Sequence, residues 1–295
     1  MPQFKQQNLA RHQILDLVDA VAPRQKVQEI VETGTSSVVA LTRDLAIRIA
    51  RDEIAARELK RTQRLVDELP EFSFQVPRSA AEVLDEGGIV AVPTHRLTGS
   101  PHAAGSGDPK ALKAVLDEIQ EVDTSGLTNF LAEPHVFCGG YQWLDVLHKI
   151  VPLLDAVAQE PALGIIHQLE NQEARLTPAN LGFTHGDLAG SNMLFDGEHV
   201  TAVLDWDLAS VSDPADDVAS LANWHGWQLL SQLASPQLAG RAEFCVSLTR
   251  SRLSHLPIYM GGQRKNWLLK QVGLLSGSSR TRADGFLDEL RFQGG

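Results

Sequence analysis

The chain has 295 residues, of which 43% are hydrophobic and 21% charged, and its formal net charge is −11. That length suits two lobes rather than one typical domain, and the composition is that of an ordinary folded protein, not of a disordered or fibrous one. The charge is uneven: residues 1–100 hold 14 acidic against 13 basic side chains, and residues 101–295 hold 23 against 13. An acidic half argues against a nucleic-acid partner, which would need Lys and Arg on phosphates; it allows a cationic small molecule, or serves solubility alone.

The N-terminus, MPQFKQQNLARHQ, is polar and lacks the apolar core of a secretory signal. Asn8 to Val21 spaces Leu9, Ile14, Leu15, Leu17 and Val18 for a short packing helix. VQEIVETG and SSVVALT flank Thr33-Gly34-Thr35, and LAIRIA follows from Leu45 to Ala50; these β-branched runs between turn residues predict an antiparallel meander. Asp52 to Leu69 is rich in good helix formers, and Pro70 stops it. FQVPRSAAEVL and GIVAVPTH predict two more strands around Glu86-Gly87-Gly88. TGSPHAAGSGDP, from Thr98 to Pro109, reads as a linker. Beyond it the pattern is mainly helical, as in KALKAVLDEIQEV and YQWLDVLHKIVPLLDAVAQ, except between Phe183 and Val211, where strand and hairpin patterns return. The organisation expected is α+β: a small β-rich lobe over residues 1–96 and a larger, mainly helical lobe over 97–295. Two cysteines, Cys138 and Cys245, make neither a disulfide framework nor a zinc spacing, so a reduced, cytoplasmic setting is expected. No run approaches the ~18 apolar residues of a membrane span.

The densest chemistry lies in His185-Gly186-Asp187-Leu188-Ala189-Gly190-Ser191-Asn192, followed by Val203-Leu204-Asp205-Trp206-Asp207. Apolar runs bracket Asn192 and Asp205, and a hairpin turning at Asp196-Gly197 would set those two side by side at its open end. Phosphoryl transfer needs such a set: oxygen ligands for Mg²⁺ and a carboxylate to orient the acceptor hydroxyl. Each residue alone reads as a turn, a cap or a hydrogen-bonded acid; the conjunction is specific.

HGDLAGSN followed by LDWD resembles the aminoglycoside phosphotransferase and choline kinase family, whose fold is similar to that of protein kinases. The resemblance implies a bilobal fold in which Asp187 is the catalytic base, Asn192 and Asp205 hold Mg²⁺, and His185 braces the catalytic loop. Asp213-Pro214-Ala215-Asp216-Asp217-Val218-Ala219 matches the family's next segment and makes Asp217 a structural support of that loop. Arg48, in LAIRIA, stands where a kinase strand carries its phosphate-binding lysine, and Glu58 on the next helix would pair with it. Arg is a variation there that grips phosphate oxygens more rigidly than Lys. Gly34, Ser36 and Ser37 lie where the family places its nucleotide-covering loop, though a plain hairpin turn is an equal alternative. Val92 to Gly99 resembles the interlobe hinge, where backbone groups of His95 and Leu97 would meet the base of ATP or GTP. Trp224, His225 and Trp227 follow the hairpin; at i and i+3 the two tryptophans would share a helix face, lining a substrate pocket or, more commonly, packing in the core.

These residues imply a small-molecule kinase whose partners are a nucleotide and a hydroxyl-bearing acceptor. The acidic C-terminal half suits a polycationic aminoglycoside, the expectation that carries antibiotic resistance with it. Macrolide phosphotransferases tend to have His where this chain has Asn192 and to lack the second acid of Asp-Trp-Asp, which ranks a macrolide lower. An endogenous amino alcohol or sugar is as good an acceptor as any antibiotic. Only seven residues separate Asp205 from Asp213, too few for the activation segment of a protein kinase. A non-catalytic nucleotide-binding module is the remaining rival, and it has no need of Asp187, Asn192 and Asp205 together.

Overall fold

A computed structural model describes residues 9–32, 36–86, 88–136, 139–153 and 156–243. They divide into two compact units: one drawn from Met1–Ala103, Val122–Leu131 and Gly190–Asp207, the other from Ala104–Glu121, Ala132–Ala189 and Leu208–Gly295.

The first unit is built on a five-stranded antiparallel sheet in the order β1-β2-β3-β5-β4. Its strands are β1 (Glu29–Val31), β2 (Ser37–Leu41), β3 (Leu45–Ala50), β4 (Leu84–Glu86) and β5 (Ile89–His95). Side chains alternate across a strand, so Ile47 and Ile49 of β3 face one way and Arg48 and Ala50 the other. Ile47 and Ile49 are fully buried with Val38, Ala40 and Ala91 against Ile14 and Val18 of helix α1 (Arg11–Val21). Each such isoleucine contributes roughly 1.5–3 kcal/mol of transfer free energy. The opposite face packs Ala50, Val90 and Val92 on Ala55, Ala56 and Leu59 of helix α2 (Glu53–Glu68). Asp52 caps α2 by accepting the Ala55 N–H at 2.8 Å, and the helix ends just before Pro70.

A second, smaller sheet in this unit is the hairpin of β7 (Met193–Asp196) and β8 (His199–Val203), which pair in antiparallel register with Met193 opposite Val203. Its two edges are covered. Gln75 exchanges backbone hydrogen bonds with Thr201 and Val203 at 2.8 and 2.9 Å, and Ser100 does so with Phe195 at 3.0 Å each way. FQVPRSAAEVL therefore does not form one strand: Pro77 has no N–H to donate, and the segment makes isolated bridges at Gln75 and Ser79 before joining the main sheet at Leu84. At Gly99, φ is +128° and a Cβ would lie 2.6 Å from Thr201 Oγ1, so the close approach to the hairpin requires glycine.

The second unit is mainly helical. Helix α3 (Pro109–Gln120) starts on an Asp108 cap with proline in its first turn, and it buries Leu112, Val115, Leu116 and Ile119. The run expected as continuous helix is broken at Pro152: α4 (Trp143–Ile150) gives way to a 3₁₀ turn, Val151–Leu153, before α5 (Ala156–Glu173). Strands β6 (Gly182–Thr184) and β9 (Ser210–Ser212) pair antiparallel, and α6 (Ala215–His225) and α7 (Leu230–Leu233) follow. Buried Thr184 on β6 bonds the Ser212 hydroxyl of β9 at 2.8 Å. Among the described residues no helix is long and apolar enough to cross a membrane.

Candidate active site

In the second unit, β6 runs out of the core at Thr184 and delivers His185, Gly186 and Asp187. His185 is fully buried. The carboxylate of Asp217, also buried, straddles the loop: Oδ2 accepts the His185 N–H at 2.7 Å and Oδ1 the Gly186 N–H at 2.9 Å. The Asp187 N–H then donates to His185 Nδ1 at 3.3 Å, which leaves the imidazole proton on Nε2. The Asp187 carbonyl accepts the Ala189 N–H at 2.8 Å. Gly186 sits at φ +80°, and a Cβ there would lie 2.6 Å from the Leu208 carbonyl oxygen, so only glycine makes this turn. Asp187, half-buried, emerges from a backbone bonded on both sides.

Asp217 reaches the loop from the first turn of α6, where the helix dipole favours an acid. Asp213, just ahead of that helix, anchors it through a two-bond pair with Arg241, at 2.8 and 2.9 Å. Burial pushes the Asp217 carboxyl up to about 7, with Asp216 and Asp187 adding to the rise; the two backbone donors pull the other way. Burial first, then Asp213, pushes Asp216 up to about 7 as well. Asp216 lines a small cavity in this unit with Glu133, His135, Gly186, Ser210 and Ser212.

In the first unit, the hairpin carries the other two candidate residues, Asn192 and Asp205. The Asn192 carbonyl accepts the Leu204 N–H at 2.7 Å, which ties the start of β7 to the end of β8 and brings Asn192 and Asp205 together at the open end. Gly197, at φ +58°, makes the turn at the other end. Asp205 itself adopts φ +64°, a left-handed conformation that a non-glycine residue holds only when its surroundings dictate it. Trp206 supplies that constraint: fully buried, it donates Nε1–H to the Val203 carbonyl at 3.1 Å and stacks on Phe72 with ring centroids 6.0 Å apart. An amide oxygen and a carboxylate are hard donors that suit Mg²⁺, an ion that keeps waters and nucleotide phosphates for its remaining positions. Among the described residues no group of three His, Cys, Asp or Glu side chains offers an all-protein cage.

The expected Arg48–Glu58 pair is not formed. Glu58 bonds Arg61, one turn along α2, at 2.9 Å. Arg48 instead places Nη2 3.1 and 3.0 Å from the two carboxylate oxygens of Asp207. Glu58 is half-exposed and within easy reach of its i+3 neighbour, whereas Asp207 presents its carboxylate to the strand face where Arg48 lies. Arg61 also donates Nη2–H to the Asp207 carbonyl at 2.8 Å and Nη1–H to the Phe130 carbonyl.

The other nucleotide-site expectations are less sharply drawn. Gly34 lies outside the described residues. Ser36 accepts the Arg51 N–H through its carbonyl at 3.0 Å, and Ser37 is buried at the start of β2. The His95 N–H is taken by the Arg78 carbonyl at 3.2 Å, whereas among the described residues nothing bonds the Leu97 main chain. Trp224 and Trp227 do not share a helix face: Gly226, at φ +123°, ends α6 and turns Trp227 into a separate 3₁₀ segment, leaving both rings half-buried.

A family model for the phosphotransferase enzyme family matches residues 27–244. The chain belongs to that family. This phosphotransferase shares its fold with several solved relatives at low identity. One is the GDP complex of aminoglycoside 2'-phosphotransferase-IIIa, with 16% identity, a TM-score of 0.65, and 98% of this chain and 100% of that one covered. Another is a streptomycin–ATP ternary complex of APH(2")-IIa, at 13% identity, TM-score 0.64, and coverage of 96% and 97%. A third is the macrolide 2'-phosphotransferase MphH from Brachybacterium faecium, at 20% identity, TM-score 0.61, and coverage of 93% and 97%. No curated protein sequence matches the chain.

Two residues bonded to these elements are ones that the motif spacing does not single out. Asp207 stands in the sequence as the second acid of Asp-Trp-Asp, and no motif marks Arg61. Nothing in linear sequence signals a partner 159 positions away, the separation between Arg48 and Asp207.

Proposed function

We propose that this phosphotransferase moves the γ-phosphoryl group of ATP or GTP to the hydroxyl of a small molecule, with an aminoglycoside as the first acceptor to try. The observation that carries the reading is the pair of braced elements described above: Asp187 on a loop clamped by Asp217, and Asn192 joined to Asp205 through the Leu204–Asn192 hydrogen bond.

The Asp187 carboxylate orients the acceptor O–H and takes its proton as the oxygen attacks the γ-phosphorus in line. The bond between that phosphorus and the β–γ bridging oxygen breaks, and the nucleoside diphosphate leaves. Asn192 and Asp205 would hold Mg²⁺, which supplies charge neutralisation at the phosphates when bound. Arg48 grips phosphate oxygens, and the main chain of Leu97, which bonds nothing among the described residues, supports a contact with the base. His185 keeps the loop in register. The cytoplasm, where nucleotide and Mg²⁺ are plentiful, is the proposed setting.

Relatives solved with GDP or with streptomycin and ATP support a nucleotide co-substrate and an aminoglycoside acceptor, and the excess of acid over base in residues 101–295 suits a polycation. Asn192 and Asp207 set the chain apart from the macrolide pattern. The test is a phosphate-transfer screen of ATP and GTP against aminoglycosides, macrolides, amino alcohols and sugars. Transfer to an aminoglycoside supports the reading; transfer confined to another class moves the acceptor; nucleotide binding with no transfer to any acceptor refutes the kinase assignment in favour of a binding module.

A further inference from the structure

We propose that Asp207 is the positioning residue for Arg48: it holds Nη2 and fixes the guanidinium plane, leaving Nε–H and Nη1–H to the nucleotide phosphates. The proposal rests on the kinase reading above and assigns the partner that Glu58 was expected to be.

Three observations carry it. First, Nη2 alone makes both contacts with Asp207, at 3.1 and 3.0 Å, while among the described residues Nε and Nη1 of Arg48 have no partner. Nη2 belongs to both two-nitrogen edges of the fork, so with it held the plane is fixed and the Nε–H and Nη1–H groups point apart, each left to a separate phosphate oxygen. Second, the pair is largely removed from solvent, with side-chain exposures of 18% and 16%. Arg48 lies on the sheet face packed with Ala50, Val90 and Val92, where its charge needs a partner and where attraction is less screened than in water. Third, Asp207 is itself immobilised. Arg61 holds its carbonyl, and the preceding residue, Trp206, is fully buried and stacked on Phe72.

The arrangement explains two departures together. Arginine in place of lysine supplies more than one nitrogen, so that one can serve the carboxylate and others the phosphate. The second acid of Asp-Trp-Asp supplies the carboxylate, two residues from the proposed metal ligand Asp205. The brace of the phosphate grip and the proposed metal ligand therefore share one turn.

The experiment measures equilibrium binding of Mg·ATP and Mg·GTP to the full chain, without acceptor, for wild type, Asp207→Asn, Arg48→Ala, the double variant, Arg48→Lys and Glu58→Gln, with melting curves alongside. Asp207→Asn is expected to weaken nucleotide binding about tenfold, and the double variant to bind no more weakly than Arg48→Ala alone. Arg48→Lys, which keeps the charge but loses the fork, is expected to weaken binding by roughly three- to tenfold, and it decides the matter if Asp207→Asn does not fold. In turnover, KM for nucleotide rises while KM for the acceptor holds. The proposal is overturned by Asp207→Asn or Arg48→Lys binding as tightly as wild type, by losses that multiply in the double variant, or by a larger loss in Glu58→Gln than in Asp207→Asn. Wild type that binds neither nucleotide would instead bring down the kinase reading and this inference with it.

Discussion

The carboxylate of Asp217 accepts the main-chain N–H of His185 at 2.7 Å, across 32 positions of sequence. Through its second oxygen it also holds the Gly186 N–H, so one buried side chain organises two consecutive residues of the loop before Asp187.

Asp217→Asn turns an acceptor oxygen into an NH₂ group that faces a backbone N–H. The lost bond and the stranded buried donor are expected to cost about 1–3 kcal/mol of stability. Because the loop carries Asp187, kcat should fall more than nucleotide affinity. Chemical denaturation and steady-state kinetics check both.

Gly186→Ala forces a side chain onto a backbone at φ +80°, with its Cβ 2.6 Å from the Leu208 carbonyl oxygen. The left-handed conformation alone costs roughly 1–2 kcal/mol, and the overlap adds to it. A lower melting temperature with a disproportionate loss of kcat is the expected pattern.

Asp216 and Asp217 each have a carboxyl pushed up to about 7 from an ordinary 3.8, chiefly by burial. Between those values the folded chain keeps protons that the unfolded chain releases, so these groups make stability fall as pH rises from about 4 to about 7. Asp216→Asn removes one of the two groups and relieves the charge repulsion on the other. Its melting temperature relative to wild type should climb steadily over that window. Parallel curves for the two proteins across the window would refute the assignment.

Trp206→Ala empties a fully buried site and removes the Nε1–H bond to Val203 that fixes the turn after β8. A loss of about 3–5 kcal/mol is expected, measured by denaturant melts. Trp206→Phe keeps much of the volume and the stack on Phe72 but not the hydrogen bond, so it should lose less stability.

Much of this was legible from local pattern. LAIRIA runs from Leu45 to Ala50 as a strand, as its β-branched alternation predicts, and Asp52 and Pro70 bracket α2 through a cap and a missing N–H. The hairpin turned at Asp196-Gly197 because two apolar runs flank a dipeptide that tolerates left-handed backbone. Misreadings fell where one residue overrode a periodic pattern. Pro77 and Pro152 interrupted a strand and a helix, and Gly226 separated Trp224 from Trp227. The Arg48 partner was misread for another reason: a helix neighbour is local, whereas Asp207 reaches β3 only after the chain has built the hairpin. The acceptor is not written in these elements, because the backbone braces that support Asp187, Asn192 and Asp205 serve any hydroxyl.

The central claim is that Asp187 orients and deprotonates the acceptor hydroxyl. The most direct measurement is single-turnover phosphoryl transfer from ATP or GTP to the best acceptor, comparing wild type with Asp187→Ala at equal nucleotide occupancy. The transfer rate is expected to fall by roughly 10²–10⁴ while nucleotide affinity stays within a few-fold. Undiminished transfer by the variant would contradict it.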